Sequence, residues 1–143
     1  MWPRSRGIGG CKSMNRLERV FANGKAFIPF ITAGDPALEV TEELTLGLAE
    51  AGADLIELGI PFSDPVAEGP VIQEADRRAL AKGVTTDKIF ALVERVRRRS
   101  QAPLALMTYV NPVFTYGTRR FMKNCQEVGV DAVIVPDTPY EER

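Results

Sequence analysis

Two acidic residues, Glu57 and Glu68, are the strongest candidates for chemistry in this sequence. Glu57 lies inside the apolar run 54–59, which is typical of a strand buried on both faces. Burial makes a carboxylate expensive to ionise and raises its pKa, which suits a general acid/base at neutral pH. The alternative is a structural glutamate that accepts a backbone hydrogen bond or pairs with a buried arginine. The strand alone leaves both interpretations open.

The loop after this strand carries the second acid. The chain breaks at Pro61, continues through Asp64 and Glu68, and reaches Gly69-Pro70, a helix-start signal. A residue on the strand and a residue on the loop above it can face one pocket. We therefore expect Glu57 and Glu68 to act together.

Polar residues also follow the other predicted strands, namely Asp35 after the first, Tyr109 and Asn111 after the third, and Asp137 after the fourth. The carboxyl ends of parallel strands meet at one edge of a sheet, where such proteins place their active sites. For Asp35 and Asp137 we favour helix capping or a solvated loop over chemistry.

Periodicity and turn signals predict the elements that position these residues. The strands are 26–32, 54–59, 102–107 and 132–135, and the helices are 15–21, 37–51, 71–82, 85–99 and 118–128. Pro29 has no N–H group, so we expect a bulge or an unpaired position in the first strand. The basic run 95–99 is better interpreted as a solvated helix end than as a nucleic-acid patch.

An internal repeat supports this order of elements. Residues 50–58 align with residues 127–135, and both copies read helix end, glycine, aspartate, buried strand. A repeated βα unit implies parallel strands joined by right-handed crossovers. Ile134 stands where the first copy has Glu57, so the scaffold does not require an acid there. The pattern fits either a doubly wound sheet or part of an eight-stranded barrel.

Composition bounds the remaining possibilities. The chain has 143 residues, a net charge of −1, 45% hydrophobic residues and no histidine. This is an ordinary globular composition that indicates neither a nucleic acid nor a membrane partner. Without histidine, Ser-His and Cys-His catalysis and the usual zinc sites are excluded. Cys11 and Cys125 lie far apart with no metal-binding spacing, so we expect no metal and a cytoplasmic location.

The first thirteen residues differ from the rest of the sequence. They carry three basic residues, three glycines and no acid, and they lack the apolar core of a signal peptide. We expect residues 1–13 to be a disordered extension, translated from an upstream start codon or left from cloning. The alternative is a basic binding arm. We expect residues 14–143 to form one domain.

The stretch Glu57-Leu-Gly-Ile-Pro-Phe-Ser-Asp-Pro-Val-Ala-Glu-Gly69 resembles the signature of the tryptophan synthase alpha chain family. Three flanking motifs match in order, namely 27–36, 109–114 and 133–137. The resemblance runs from about Met14 to the last residue. It implies an α/β fold of the (βα)8 TIM-barrel family, of which this chain would hold about the first four units. Because a full barrel needs ~250 residues, we expect an N-terminal half barrel without the phosphate-binding loops, inactive alone.

The resemblance also implies a reaction, the retro-aldol cleavage of indole-3-glycerol phosphate to indole and glyceraldehyde 3-phosphate. Glu57 matches the general acid/base, and Glu68 matches the acid that accepts the indole N–H, where many members have aspartate. Four residues match substrate-binding positions: Phe30, Met107, Tyr109 and Ile134. No lysine falls inside a predicted strand, which argues against a Schiff-base aldolase.

A partner is implied as well. Family members assemble with the tryptophan synthase beta chain in an α2β2 heterotetramer, and the positions Pro61, Asp64, Asn111 and Pro112 match the partner-facing surface. Pyridoxal phosphate would belong to the beta chain, so we expect no cofactor in this one. The alternative function is a non-catalytic half barrel that at most docks on the beta chain.

Overall fold

A computed structural model describes residues 15–22, 24–139 and 141. Its centre is a four-stranded sheet made of β1 (Phe30–Thr32), β2 (Ile56–Gly59), β3 (Leu104–Met107) and β4 (Ala132–Ile134). The spatial order is β1-β2-β3-β4, and every neighbouring pair is parallel. Sequential parallel strands with helices between them are the arrangement of a (βα)8 barrel. The predicted fold class is confirmed: the described residues form four parallel strands of such a barrel, with helices in the three connections between them.

Six helices lie among the described residues: α1 (Arg16–Val20), α2 (Leu38–Glu50), α3 (Pro70–Ala81), α4 (Thr86–Arg97), α5 (Val110–Tyr116) and α6 (Thr118–Val128). Side-chain caps explain where two of these helices begin. Asn15 and Glu18 form a reciprocal capping box at α1, and the Thr85 hydroxyl accepts a hydrogen bond from the Lys88 N–H at α4. Thr118, predicted to be a cap, is instead the first residue of α6.

The two faces of the sheet carry different residues. Ile31, Leu58, Leu106 and Val133 point towards the helices and join the main hydrophobic core. The α4 residues Ile89, Leu92, Val93 and Val96 complete that core from the other side, as the predicted apolar stripe requires. The residues between them along each strand point to the opposite, inner face. In a barrel this inner face is the wall of the interior.

The first predicted strand is shorter than expected. Only Phe30–Thr32 is strand, although residues 26–32 were expected. The segment before it is held beside β2 by isolated hydrogen bonds. The Asp54 N–H donates to the Phe27 carbonyl and the Glu57 N–H donates to the Pro29 carbonyl, both at 2.9 Å. Pro29 cannot donate in return, so the ladder begins only at the next residue.

Helix α5 was not predicted from the sequence. Asn111 and Pro112, expected in a loop, lie in its first turn, where a proline is tolerated because the first N–H groups have no partner within the helix.

The expectation of a fully solvated basic run at 95–99 is also wrong for one residue. Arg97 has only 10% of its side chain exposed and pairs with Asp131 at 2.6 Å.

Two further expectations concern the N-terminal extension and the absence of a membrane partner. Residues 1–13, together with Met14, lie outside the described residues. Within the described part of the chain, no helix is both long enough and apolar enough to cross a membrane.

Candidate active site

Glu57 lies on the inner face of the sheet, in the middle of β2. Its register partners are Phe30 on β1 and Ala105 on β3. The residue is half-buried rather than buried, because the inner face is less covered than the face that packs on the helices. Among the described residues, no side chain and no backbone N–H group makes a hydrogen bond to its carboxylate. The structural interpretation of Glu57 therefore lacks its expected partner.

An aromatic ring covers the strand beside Glu57. A Cβ atom on Gly59 would lie 2.6 Å from Cζ of Phe30, so the ring of Phe30 needs a glycine at this position. Met107 and Ile134 are in register with each other and with Gly59, one level closer to the carboxyl edge. Both are partly exposed. Three of the predicted pocket residues, Phe30, Met107 and Ile134, thus share the inner face with Glu57.

Glu68 lies at the end of the β2–α3 loop, next to Tyr109. The Tyr109 hydroxyl lies 3.4 Å from Oε1 of Glu68 and accepts a hydrogen bond of 3.1 Å from the Ala67 N–H. Tyr109 is only 3% exposed, and burial raises the pKa of its hydroxyl. The predicted residue Tyr109 thus contacts the second acid. No hydrogen bond links Glu68 to Glu57 within the described chain.

Sequence reasoning missed Asp76, a buried acid on α3. It is 4% exposed and accepts a hydrogen bond from the Phe62 N–H at 3.4 Å. Burial raises the pKa of Asp76 to about 6. The available signal was its place between Ala75 and Ala79, both buried, on the apolar face of the helix.

Of the two acids favoured as helix caps or loop residues, Asp137 caps a helix, whereas Asp35 forms an ion pair that was not expected. The Asp137 carboxylate accepts a hydrogen bond of 2.9 Å from the N–H of Val110, the first residue of α5, and so caps that helix. Asp35 does not cap a helix but accepts two hydrogen bonds from Arg78, at 2.9 and 2.7 Å. The hydrogen bonds from Arg78 lower the pKa of Asp35.

Three of the four predicted partner-facing residues line one groove. A cavity of about 480 Å³ opens between the β2–α3 loop, the start of α4 and α5, and Pro61, Asn111 and Pro112 are part of its wall. Asp64 is exposed on the same loop but is not part of this wall. The groove does not include Glu57, so it is separate from the inner face where we place the chemistry.

The site offers carboxylates for proton transfer and apolar side chains for binding a ring. Among the described residues, no cluster of three acidic, cysteine or histidine side chains could hold a metal ion. The acids lie on β2 and on the loop at its carboxyl end. Fold and site together define a βα-barrel protein with acids on the wall and at the rim of its interior.

Comparison with known proteins gives the family. A family model described as tryptophan synthase alpha chain matches residues 18–143. The chain is 53% identical over 131 residues to the tryptophan synthase alpha chains of Bacillus thuringiensis (strain Al Hakam) and Bacillus anthracis, covering 91% of this chain and 51% of each relative. The chain belongs to the tryptophan synthase alpha chain family. It spans about half the length of the curated relatives that it matches.

Solved structures agree. The alpha subunit of Legionella pneumophila (strain Paris) is 46% identical with a TM-score of 0.85, covering 91% of this chain and 52% of that one. A tryptophan synthase complex from Pyrococcus furiosus contains a chain that is 44% identical with a TM-score of 0.78, covering 82% of this chain and 48% of that one.

Proposed function

We propose that this chain carries the proton-transfer residues of an indole-3-glycerol phosphate lyase that acts in tryptophan biosynthesis. The reaction is a retro-aldol cleavage to indole and glyceraldehyde 3-phosphate. It requires a proton on the indole ring carbon and the removal of a proton from the adjacent side-chain hydroxyl. The observation that carries the proposal is the carboxylate of Glu57, which lies on the inner face beside Phe30 and has no hydrogen-bond partner among the described residues.

In this proposal Glu57 is the general acid/base. A proton-transfer group must reach the substrate, and a half-buried position on the wall of the interior allows this. Family membership and the replacement of Glu57 by Ile134 in the second repeat both support a role other than folding. Phe30, Met107 and Ile134 would contact the indole ring, because they are the large apolar residues near Glu57 on this face.

Glu68 is the second acid of the proposal. Its carboxylate would accept the indole N–H and stabilise the positive charge that develops on the ring. The hydroxyl of Tyr109, 3.4 Å from Oε1 of Glu68, supports this position of the side chain. Tyr109, which is only 3% exposed, would therefore contribute to substrate binding by orienting Glu68.

A second candidate function, docking without catalysis, is favoured by the groove beside Pro61, Asn111 and Pro112. One solved relative, 44% identical, is described as part of the tryptophan synthase α2β2 complex of Pyrococcus furiosus. By this relationship we propose the tryptophan synthase beta chain as partner. Asp64, exposed on the same loop, would lie at the edge of that interface.

Indole release tests the catalytic proposal. In a chimera, residues 15–143 replace the matching half of the Bacillus anthracis relative, which supplies the remaining barrel. With indole-3-glycerol phosphate we expect indole release, and Glu57→Gln should lower turnover by ~10²–10⁴ because it removes a positioned proton donor. Glu50→Gln, an exposed acid seven residues earlier, should leave turnover unchanged.

Equal turnover in the chimera and its Glu57→Gln variant would refute the role of Glu57. The docking function is tested with the 143-residue chain itself, by measuring its binding to the Bacillus anthracis beta chain. Binding without any indole release would favour the second candidate for this chain.

A further inference from the structure

Asp76 is a buried acid that pairs with no basic residue in the described part of the chain. It lies on α3 with 4% of its surface exposed, and the two arginines that follow it in sequence pair elsewhere. Arg77 pairs with Glu74 at 2.6 Å, and Arg78 pairs with Asp35 at 2.7 Å. Within the described chain, the one hydrogen bond to the Asp76 carboxylate comes from the Phe62 N–H, at 3.4 Å.

That hydrogen bond holds the first part of the β2–α3 loop. The ring of Phe62 packs on Tyr109 with 5.5 Å between the ring centroids. Tyr109 in turn contacts the far end of the loop, through the Ala67 N–H at 3.1 Å and the Glu68 carboxylate at 3.4 Å. A continuous series of contacts therefore runs from Asp76 through Phe62 and Tyr109 to Glu68.

We propose that Asp76 is a positioning residue that fixes the β2–α3 loop, and with it Glu68, through the Phe62 amide. The importance of this loop for catalysis rests on the proposed function, whereas its attachment to Asp76 does not. Burying an ionised aspartate costs much free energy when the carboxylate accepts only one hydrogen bond. The neutral amide of asparagine would accept the same bond at a lower cost, so the charge itself is the feature that needs an explanation.

The charge of Asp76 makes the attachment depend on pH. The pKa of Asp76 is raised to about 6, chiefly by burial and also by the negative charge of Glu68, while the Phe62 hydrogen bond acts in the opposite direction. The other titratable group facing it is the Tyr109 hydroxyl, whose pKa is raised chiefly by burial and to a smaller extent by the charge of Asp76. From the end of β1, Asp35 is paired with Arg78 instead. Above pH 6 the carboxylate is a charged, stronger acceptor, and below it the neutral acid holds Phe62 less firmly.

The effect on the whole fold has the opposite sign. The pKa of Asp76 is higher in the folded chain than its ordinary value of 3.8, so the contribution of Asp76 to stability is greatest below pH 4 and is lost as the pH rises through 6. At neutral pH the acid weakens the fold while it strengthens the attachment of the loop. Asp76→Asn should therefore raise the Tm at pH 7.5 and not at pH 4.

Amide NMR on the ¹⁵N-labelled 143-residue chain tests the proposal. Between pH 5 and pH 8 the chemical shift of the Phe62 amide should titrate with a midpoint near the pKa of Asp76, about 6. After correction for intrinsic exchange, the Phe62 and Ala67 amides should exchange about tenfold faster at pH 5, as expected when a charge-assisted bond becomes neutral. Asp76→Asn keeps the acceptor and should abolish both pH dependences. Glu74→Gln, an exposed acid on the same helix, should change neither.

Two results would overturn the proposal. One is a Phe62 titration that persists in Asp76→Asn, because another group would then be responsible. The other is unchanged exchange of Phe62 and Ala67 in Asp76→Ala, which removes the acceptor. In the chimera, Asp76→Asn should flatten the decrease in turnover below pH 6 while Glu57→Gln lowers it at every pH. An inactive chimera would count against the proposed function alone, since the amide measurements do not depend on activity.

Discussion

The two repeated stretches, 50–58 around β2 and 127–135 around β4, share the same backbone arrangement. Each has a glycine with positive φ, Gly52 at 91° and Gly129 at 83°. An aspartate follows two residues later and makes two hydrogen bonds to one residue of the preceding strand segment. Asp54 donates its N–H to the Phe27 carbonyl at 2.9 Å and accepts the Phe27 N–H at 2.7 Å.

Asp131 repeats this arrangement at the next-but-one strand. It donates to the Leu104 carbonyl at 2.9 Å and accepts the Leu104 N–H at 2.9 Å. The shared residues of the repeat are therefore the ones that start a strand and fix its register. Backbone geometry therefore explains why the glycine and the aspartate recur in both copies while the residues around them differ.

The first difference between the repeats is the surroundings of the aspartate. Asp54 is exposed, and no arginine pairs with it in the described chain. Asp131 has 10% of its side chain exposed and pairs with Arg16 from α1 and Arg97 from α4, both at 2.6 Å. The second aspartate thus joins two helices to the base of the sheet as well as starting a strand.

The second difference is on the inner face, where one repeat has Glu57 and the other Ile134. Both are three residues after their aspartate and point into the interior. They are not at the same level, because Glu57 pairs with Ala105 whereas Ile134 pairs with Met107, two residues further along β3. This stagger is a property of barrels. The acid is thus at mid-height on the wall and the isoleucine is nearer the rim.

The largest expected effect follows from the first difference. Asp131→Ala should lower the free energy of unfolding by about 3–5 kcal/mol, because it leaves the guanidinium of Arg97 buried without its partner. The measurement is urea unfolding of the 143-residue chain at pH 7. A loss below about 1 kcal/mol would mean that the arginines add nothing and that the two aspartates are equivalent.

Asp54→Ala is the matched variant and should have a smaller effect. It removes one hydrogen bond to an exposed backbone N–H group that water can satisfy, so we expect a loss of about 0.5–1.5 kcal/mol. The same unfolding experiment measures it. If Asp54→Ala lowered stability as much as Asp131→Ala, the hydrogen bonds that both aspartates make to the preceding strand segment would account for the effect. The ion pairs of Asp131 would then add no stability.

The comparison also shows what the sequence could predict. The repeat, the parallel strands and the helix-facing core follow from patterns of glycine, aspartate and apolar residues, and all of them are present in the structure. The positions of Glu57, Phe30, Met107 and Ile134 on one face follow from strand alternation and family resemblance. These features depend on local periodicity, which a sequence displays directly.

Features that depend on contacts between distant segments could not be predicted. The contact of Tyr109 with Glu68 and that of Asp76 with Phe62 join residues that are far apart in the chain. Helix α5 was missed because Asn111-Pro112 signals a turn, although a proline is allowed in a first turn. Arg97 was taken for a surface cation because its partner Asp131 lies on another element, far along the chain.

The smallest expected effect concerns the second difference. Glu57→Ile gives the first repeat the residue type of the second, and we expect stability to be unchanged or to increase by up to about 1 kcal/mol. The carboxylate has no hydrogen-bond partner within the described residues, and a β-branched side chain suits a strand and buries apolar surface against Phe30 and Ala105. Urea unfolding of the 143-residue chain measures the change. The reciprocal variant Ile134→Glu should lower stability because it places a charge beside Met107.

In the chimera, Glu57→Ile should abolish indole release. A variant that is both less stable by more than 1 kcal/mol and fully active would identify Glu57 as a structural residue, and the acid would then belong to the scaffold after all.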